Sequence, residues 1–152
     1  MIVFRLCNIK YSNDLSGIGA AKHGGRWNSK GNAMLYTSQS RALAVTELAV
    51  HIPLGIIPPK MKMVSIEIPD RIDFYEIKFS VLPAGWRKFP HIRATKIIGD
   101  AWLAENKYLV LKVPSAVVQS DFNFVINPEH KDFSLIKVLE IEDFRFDNRL
   151  FE

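Results

Sequence analysis

The sequence is poor in the residues that hold metals or form disulfides. Cys7 is the only cysteine among 152 residues, which excludes a disulfide framework and a cysteine-based zinc site and is typical of a reducing compartment. The histidines are widely scattered and show no metal-ligand spacing; they are His23, His51, His91 and His130. We therefore expect neither a metal site nor a resident cofactor.

Long apolar runs are also missing. No stretch approaches the roughly 20 apolar residues that a membrane-spanning helix needs. The first residues, MIVFRLCNIKY, are interrupted by Arg5 and Lys10, and no small-residue cleavage site follows, so no signal peptide is expected. Together with the single cysteine, these absences predict a cytoplasmic protein that does not contact membranes.

Two common phosphate-binding signatures are absent. Gly17-Ile18-Gly19 is followed by Lys22 where a dinucleotide-binding fingerprint requires a third glycine, and no Gly-Lys-Ser/Thr loop occurs. The net charge is +4, but the basic residues are dispersed and are not interleaved with aromatic residues. The charge pattern argues against direct binding of nucleic acid and suits an anionic small molecule or an acidic protein partner.

What is present predicts one α+β domain spanning residues 1–152. The chain is 48% hydrophobic and 24% charged, as in globular proteins with one core. Patterning predicts a first helix that Ser38 or Ser40 caps and that runs to about His51, and a second helix over 92–106. It also predicts an irregular segment over 8–32 and strands over 1–6, 34–37, 62–68, 72–77, 108–113, 117–118, 123–126 and 136–141, with a further extension at 145–147. Because these elements show no regular βαβ rhythm, we expect a mixed, mostly antiparallel sheet with flanking helices.

The most informative stretch is Gly24-Gly25-Arg26-Trp27-Asn28. Two adjacent glycines free the backbone for a tight turn, and an arginine on such a turn can direct its guanidinium at a phosphate or carboxylate. Trp27 fits a polar loop only if it packs beneath the turn. The alternative is a simple tight turn with a solvated arginine.

Glu47 is anomalous because it lies in the middle of an apolar helical stretch. A helix that is apolar almost all round should be buried, and glutamate is seldom buried without a partner. We interpret Glu47 as a carboxylate that the helix delivers into a cleft. The alternative places it on a solvated edge, paired with Arg41 or His51.

Three further residues are candidates. Ser115 follows a strand and Pro114, where active-site side chains often project, although a turn serine is the common role there. Tyr36 could form an aromatic wall for a ligand or a half-buried strand position. Asn127, before Pro128, is a good turn former by itself. No Gly-x-Ser-x-Gly elbow surrounds Ser115, so a serine hydrolase triad is not expected.

Taken together, these segments resemble the RES domain family, which is named for its conserved Arg, Glu and Ser. The matching stretches fall in the family order and span nearly the whole chain. They are Leu15 to Ala20, Gly24 to Asn28, Leu35 to Ser38, Leu43-Ala44 with Glu47 and His51, Ile98 to Leu103, Val113-Pro114-Ser115, and Asn123 to His130. The segment 52–93 carries little of this signal.

The resemblance implies a fold similar to ADP-ribosyltransferases of the diphtheria-toxin type. It also implies the toxin of a type II toxin–antitoxin pair, which degrades NAD+ by hydrolysis or phosphorolysis and thereby arrests growth. NAD+ would be the substrate and inorganic phosphate a candidate co-substrate. The implied partner is an Xre-type helix-turn-helix antitoxin, and the family suggests a homodimer.

By the same resemblance, Arg26, Tyr36, Glu47 and Ser115 would form the site, with Asn127 as a further candidate. Arg26 suits the pyrophosphate, Tyr36 the nicotinamide ring, Glu47 the developing ribosyl cation, and Ser115 the ribose or a phosphate. Two alternatives stay open at this point. One is a mono-ADP-ribosyltransferase that modifies a protein, and the other is a non-enzymatic module that binds a nucleotide or a partner.

Overall fold

The computed structural model describes all residues from Met1 to Glu152, with seven strands and three α-helices. The strands are β1 (Ile2–Asn8), β2 (Leu35–Ser38), β3 (Met61–Glu67), β4 (Phe74–Glu76), β5 (Val110–Pro114), β6 (Phe122–Ile126) and β7 (Lys137–Phe144). The helices are α1 (Ile18–His23), α2 (Arg41–Ala49) and α3 (Arg93–Glu105). Short 3-10 turns lie at Ile9–Tyr11, Phe79–Val81, Phe133–Leu135 and Asn148–Phe151.

All seven strands form one mixed sheet in the order β4-β5-β6-β2-β1-β3-β7. Only the β4–β5 pair is parallel, and the other five pairs are antiparallel. The α+β class with a mostly antiparallel sheet is therefore confirmed. β2 is the fourth of the seven strands, so the motif segment that contains Tyr36 runs through the middle of the sheet.

The two faces of the sheet are buried differently, because side chains alternate along each strand and paired residues share a face. One face carries a continuous apolar core that includes Val3, Leu35, Val64, Val110 and Ile126, with the buried Cys7 among them. The other face carries two separate clusters. The first lies under α3 and contains Trp27, Trp102, Leu111, Val113 and Val125; the second lies under α2 and contains Leu6, Ala44 and Met63. The gap between these clusters leaves room for a cavity.

Helix α2 begins where its sequence predicts but is less buried than expected. Ser40 Oγ accepts a hydrogen bond from the Leu43 backbone nitrogen at 3.1 Å, which confirms a serine cap. The expectation of burial all round is wrong, since only Leu43 and Ala44 are buried. The reason is that one side of α2 borders the cavity rather than a second layer of protein.

Other differences concern segments whose backbone groups bond locally. The segment 8–32 contains the short helix α1, which the sequence pattern missed. No strand forms at 117–118, because the backbone nitrogens of Val117 and Val118 donate hydrogen bonds to Ser115 Oγ. No strand forms at 145–147 either, and Asp147 instead caps the final 3-10 turn. The predicted strand at 72–77 shortens to β4.

None of the helices combines the length and the apolar character needed to cross a membrane. No group of three or more His, Cys, Asp or Glu side chains is arranged to hold a metal ion.

Candidate active site

A cavity of about 690 Å³ opens between the two clusters on the helix-bearing face of the sheet. Its volume falls within the range of about 300–1,000 Å³ that is usual for small-molecule sites. Strands β1, β2 and β6, helix α2, the glycine turn and the loop at 87–91 all contribute to its walls. Three of the predicted site residues line it, namely Arg26, Tyr36 and Glu47.

The glycine turn brings its backbone close to the central strand. Gly24 has a φ of +71°, a conformation that a residue with a side chain rarely adopts. A Cβ on Gly25 would lie 2.7 Å from the Tyr36 hydroxyl and 2.8 Å from Asn28 Oδ1, so there is no room for one. Gly24 is therefore required by its backbone conformation, whereas Gly25 is required because Tyr36 and Asn28 approach it closely.

Helix α3 holds this turn in place. Trp27 is buried beneath the turn, as the sequence predicted, and a Cβ on Gly99 would lie only 1.7 Å from the Trp27 carbonyl oxygen. Asp100 accepts hydrogen bonds from the backbone nitrogen and hydroxyl of Ser29 and from Asn32 Nδ2. Burial by itself would raise the pKa of Asp100, but these hydrogen bonds stabilise the carboxylate and keep the pKa below its ordinary value.

Arg26 divides its hydrogen-bond donors between the protein and the cavity. Nη1 donates to the backbone carbonyl oxygens of Trp86 and Lys88, which fastens the loop at the cavity rim. Nε and Nη2 make no hydrogen bond within the protein, and these adjacent donors form one fork of the guanidinium group. Burial lowers the pKa of Arg26, while the negative charge of Glu47 opposes that shift. The guanidinium is thus anchored and still has a free bidentate edge.

Tyr36 presents its ring to the cavity while its hydroxyl is already bonded. The hydroxyl donates to Asn28 Oδ1 at 2.7 Å and accepts from the Trp27 backbone nitrogen at 3.1 Å. Burial raises the pKa of Tyr36, so the phenol stays neutral. The ring is a fixed apolar wall, and its hydroxyl is committed to holding the glycine turn.

Glu47 is held through one of its two carboxylate oxygens. Oε1 accepts from Asn123 Nδ2 at 2.6 Å and from Ser115 Oγ at 2.7 Å, whereas Oε2 accepts no hydrogen bond. The alternative pairings with Arg41 or His51 do not occur: Arg41 forms an ion pair with Glu142, and His51 makes no hydrogen bond or ion pair with the Glu47 carboxylate. Glu47 makes no ion pair with Arg26 either, so the two charges line one cavity without neutralising each other.

The structure places Ser115 behind the carboxylate rather than in the cavity wall. Its side chain is buried, donates to Glu47, and accepts hydrogen bonds from the backbone nitrogens of Val117 and Val118. These three bonds occupy the hydroxyl. The prediction that Ser115 contacts a ribose or a phosphate therefore does not fit its position, and Ser115 instead fixes Glu47.

Asn127 lies outside the cavity altogether. Its Nδ2 donates to Asn106 Oδ1 at 2.8 Å, and its Oδ1 accepts from the Glu129 backbone nitrogen at 3.0 Å. It is a buried turn residue that joins the end of β6 to the end of α3, so the structure does not place it with the other candidates.

Two contributors to the site were missed by reasoning from the sequence. Asp100 anchors the glycine turn and Asn123 bonds Glu47, and both occur in the matching segments without any role having been given to them. The available signal for Asn123 was its polar amide within a predicted strand, on the side of the strand that faces the helices. The ring cluster of His51, Phe89 and His91 at the rim gave no such signal, because its members come together only in the fold.

The arrangement can bind an anion at one side and stabilise a cation at the other. The free edge of Arg26 suits a phosphate or carboxylate, and the unpartnered oxygen of Glu47 suits a hydroxyl, a water or a developing positive charge. Tyr36 lines the same cavity as both groups.

Comparison with known proteins identifies the family of the chain. A sequence model of the RES domain family matches residues 2–147. A protein of Sphingobium sp. (strain YBL2) named Prs ADP-ribosylating toxin is 37% identical over 142 residues, covering 91% of this chain and 88% of its own length. A protein of Yersinia enterocolitica named Toxin Res is 34% identical and covers 99% of both chains. A Toxin Res of Photorhabdus laumondii is 36% identical and covers 99% of this chain and 97% of its own length.

Among solved structures, the fold is similar to a chain in the crystal structure of the M. tuberculosis MbcT–MbcA toxin–antitoxin complex. The TM-score is 0.76 with 16% identity, covering 99% of this chain and 86% of that chain. At this identity the likeness concerns the fold alone.

Proposed function

The chain belongs to the RES domain family, and from that premise we propose that it is the toxin of a type II toxin–antitoxin system that cleaves the nicotinamide–ribose bond of NAD+. The observation that carries the proposal is that three side chains line one cavity. They are Arg26, with two donors free of bonds to the protein, the aromatic ring of Tyr36, and Glu47, with one carboxylate oxygen that accepts no hydrogen bond. Loss of the cell's NAD+ would arrest growth.

The bond to be broken needs little acid catalysis. The nicotinamide ring carries a positive charge, takes the electron pair of the C–N bond and leaves as a neutral molecule. The ribose carbon is left as an oxocarbenium-like cation, as in glycoside hydrolysis. A carboxylate in place before the reaction stabilises that developing charge. Glu47 supplies it, and its Oε2 can also hold a ribose hydroxyl or the attacking water.

The other two residues bind rather than react. Nε and Nη2 of Arg26 suit two oxygens of the pyrophosphate through charge-assisted hydrogen bonds. The ring of Tyr36 suits the flat nicotinamide. Positive charge at one side of the cavity and negative charge at the other matches a substrate with an anionic middle and a cationic ring.

The acceptor defines the reaction that follows. With water, the ribose carbon gains the oxygen, a proton is released, and ADP-ribose forms. With inorganic phosphate, one phosphate oxygen bonds the same carbon and a phosphorylated ADP-ribose forms. The name of the Sphingobium relative favours a second candidate function, in which a protein side chain is the acceptor and becomes ADP-ribosylated.

The partners follow from the same premise. The relatives named Toxin Res and the toxin–antitoxin complex with the similar fold support an antitoxin as the binding partner. We propose that it is an Xre-type helix-turn-helix protein, that the toxin forms a homodimer, and that it acts in the cytoplasm.

The test is an NAD+ consumption assay on the purified protein, with and without inorganic phosphate. ADP-ribose indicates hydrolysis, a phosphorylated ADP-ribose indicates phosphorolysis, and a modified protein found by mass spectrometry of a labelled lysate indicates ADP-ribosyl transfer. An intact NAD+ pool together with no labelled protein would contradict an enzymatic function and favour the binding module.

A further inference from the structure

We infer that Asn123 is a positioning residue that holds the Glu47 carboxylate in its working orientation; the inference rests on the proposed function. Asn123 Nδ2 donates to Glu47 Oε1 at 2.6 Å, across the boundary between β6 and α2. No feature of the sequence pairs these two residues, which lie 76 positions apart.

Glu47 fixes which end of the Asn123 side chain faces the acid, and Ser38 holds the other end. An ionised carboxylate only accepts hydrogen bonds, so the amide turns Nδ2 toward Glu47 Oε1. Ser38 Oγ then donates to Asn123 Oδ1 at 2.8 Å, and the three side chains form a relay from Ser38 through Asn123 to Glu47. Ser38 and Asn123 are paired across β2 and β6, so their side chains emerge on one face of the sheet and the relay is built into the strand register.

The relay determines which oxygen of Glu47 is available. Oε1 accepts from Asn123 and from Ser115, which fills its two acceptor positions. Oε2 is left as the oxygen that can face a ligand. A carboxylate without the Asn123 bond could turn about its last torsion, which is broad and roughly two-fold, and would lose this assignment.

Position matters more here than stability does. Glu47 is carried by a helix, whereas both of its partners come from the sheet side of the cavity. The two bonds therefore set the distance between the acid on α2 and the ring of Tyr36 on β2. Because Asn123 also lines the cavity, direct contact with substrate is the rival role that the experiment has to separate.

The first test is Asn123→Asp, which keeps the shape and the Ser38 bond but replaces the donor by an oxygen facing Glu47 Oε1. We expect the kcat for NAD+ cleavage to fall about 10-fold or more, the scale of one hydrogen bond to a charged group, with KM changed less than about twofold. Asn148→Asp, the same change at an exposed position, is the matched control. Thermal unfolding of each variant establishes that it is folded. Unchanged kcat in folded Asn123→Asp would overturn the inference.

The second test is a double-mutant cycle. If Asn123 acts through Glu47, then Asn123→Ala lowers kcat in the wild-type background and has little further effect in Glu47→Gln. Equal effects in both backgrounds, or a rise in KM that exceeds the loss of kcat, would show direct substrate contact and overturn the inference.

The third test uses Ser38→Ala, which touches neither charge. It should lower kcat by a few-fold in the wild type and have no effect once Asn123 is alanine. An undiminished effect of Ser38→Ala in the Asn123→Ala background would count against the relay. If the wild-type protein leaves NAD+ intact, the proposed function is wrong. If the wild type cleaves NAD+ and Asn123→Asp cleaves it equally fast, the proposed function stands and only the role of Asn123 is wrong.

Discussion

The two charged walls of the cavity are built in different ways. The acid wall consists of Glu47 on α2 and Asn123 on β6, with Ser115 behind the acid, and it is held by hydrogen bonds between these side chains. The cation wall consists of the glycine turn with Arg26 and the rim loop at 87–91. It is held by hydrogen bonds from Arg26 to backbone carbonyls and by contacts with α3. The acid is positioned by a few specific hydrogen bonds, whereas the cation depends on the packing of an entire turn.

Changes at the acid wall should therefore affect the chemistry and leave the fold intact. Changes at the cation wall should affect stability, loop order and substrate affinity together, because Arg26 both binds and fastens the rim. Four substitutions or conditions probe this contrast, beginning with the largest effect.

Glu47→Gln keeps the shape of the acid and removes its charge. We expect NAD+ turnover to fall by ~10²-fold or more, as when one electrostatic stabiliser is lost, with little change in melting temperature. Glu140→Gln on the exposed side of β7 is the matched control. Unchanged turnover in a folded Glu47→Gln protein would remove Glu47 from the mechanism.

Gly99→Ala tests the attachment of the cation wall to α3. The new methyl group would overlap the Trp27 carbonyl oxygen, so the backbone must move, and we expect a loss of roughly 3 kcal/mol in the free energy of unfolding. Chemical denaturation measures this. Gly19→Ala, in helix α1 with no atom within 4 Å of the new Cβ, is the control and should be neutral or slightly stabilising. Equal stabilities for the two variants would mean that α3 does not constrain the turn.

Arg26→Lys keeps the positive charge and removes the forked donors. We expect NAD+ to bind about 10-fold more weakly, the scale of one lost hydrogen bond to a charged group. Calorimetry in a Glu47→Gln background avoids turnover of the ligand, and Arg71→Lys at an exposed position is the control. Equal affinity would count against a pyrophosphate role for Arg26.

The smallest effect is expected from acid titration of Asp100. Its pKa is lowered in the folded protein, so its contribution is present above the ordinary value of 3.8 and is lost as the pH falls through the folded value. Between pH 5 and pH 3 we expect the free energy of unfolding to fall by about 1 kcal/mol more in the wild type than in Asp100→Asn, allowing for solvent screening. Chemical denaturation at both pH values measures this. An equal fall in the two proteins would contradict the anchoring role.

Much of the fold could be predicted, because its signals are local. Short apolar or alternating runs bounded by turn residues located the strands, and a serine before an apolar stretch located the start of α2. Helix α1 was missed because it is only six residues long and lies in a segment rich in glycine and serine. Val117 and Val118 look like a strand by composition, but the hydroxyl of Ser115 claims their backbone nitrogens.

The site was predictable only in part, because its members are connected through the fold. An isolated charge in an apolar helix and an arginine on a glycine turn could be identified from the sequence, and both line the cavity. Their supports could not be identified, since Asn123 and Ser115 reach Glu47 over 76 and 68 positions. Residue type also does not predict that Ser115 lies behind the acid or that Asn127 lies in a distant turn.

The placement of Ser38 and Asn123 on β2 and β6 also has a consequence for dynamics. These strands lie inside a seven-stranded sheet, and the backbone amides of such interior strands exchange their hydrogens mainly when the whole domain opens. The acid's support is thus part of the most slowly opening unit of the molecule. Local opening of the rim loop can therefore leave the support of the carboxylate in place.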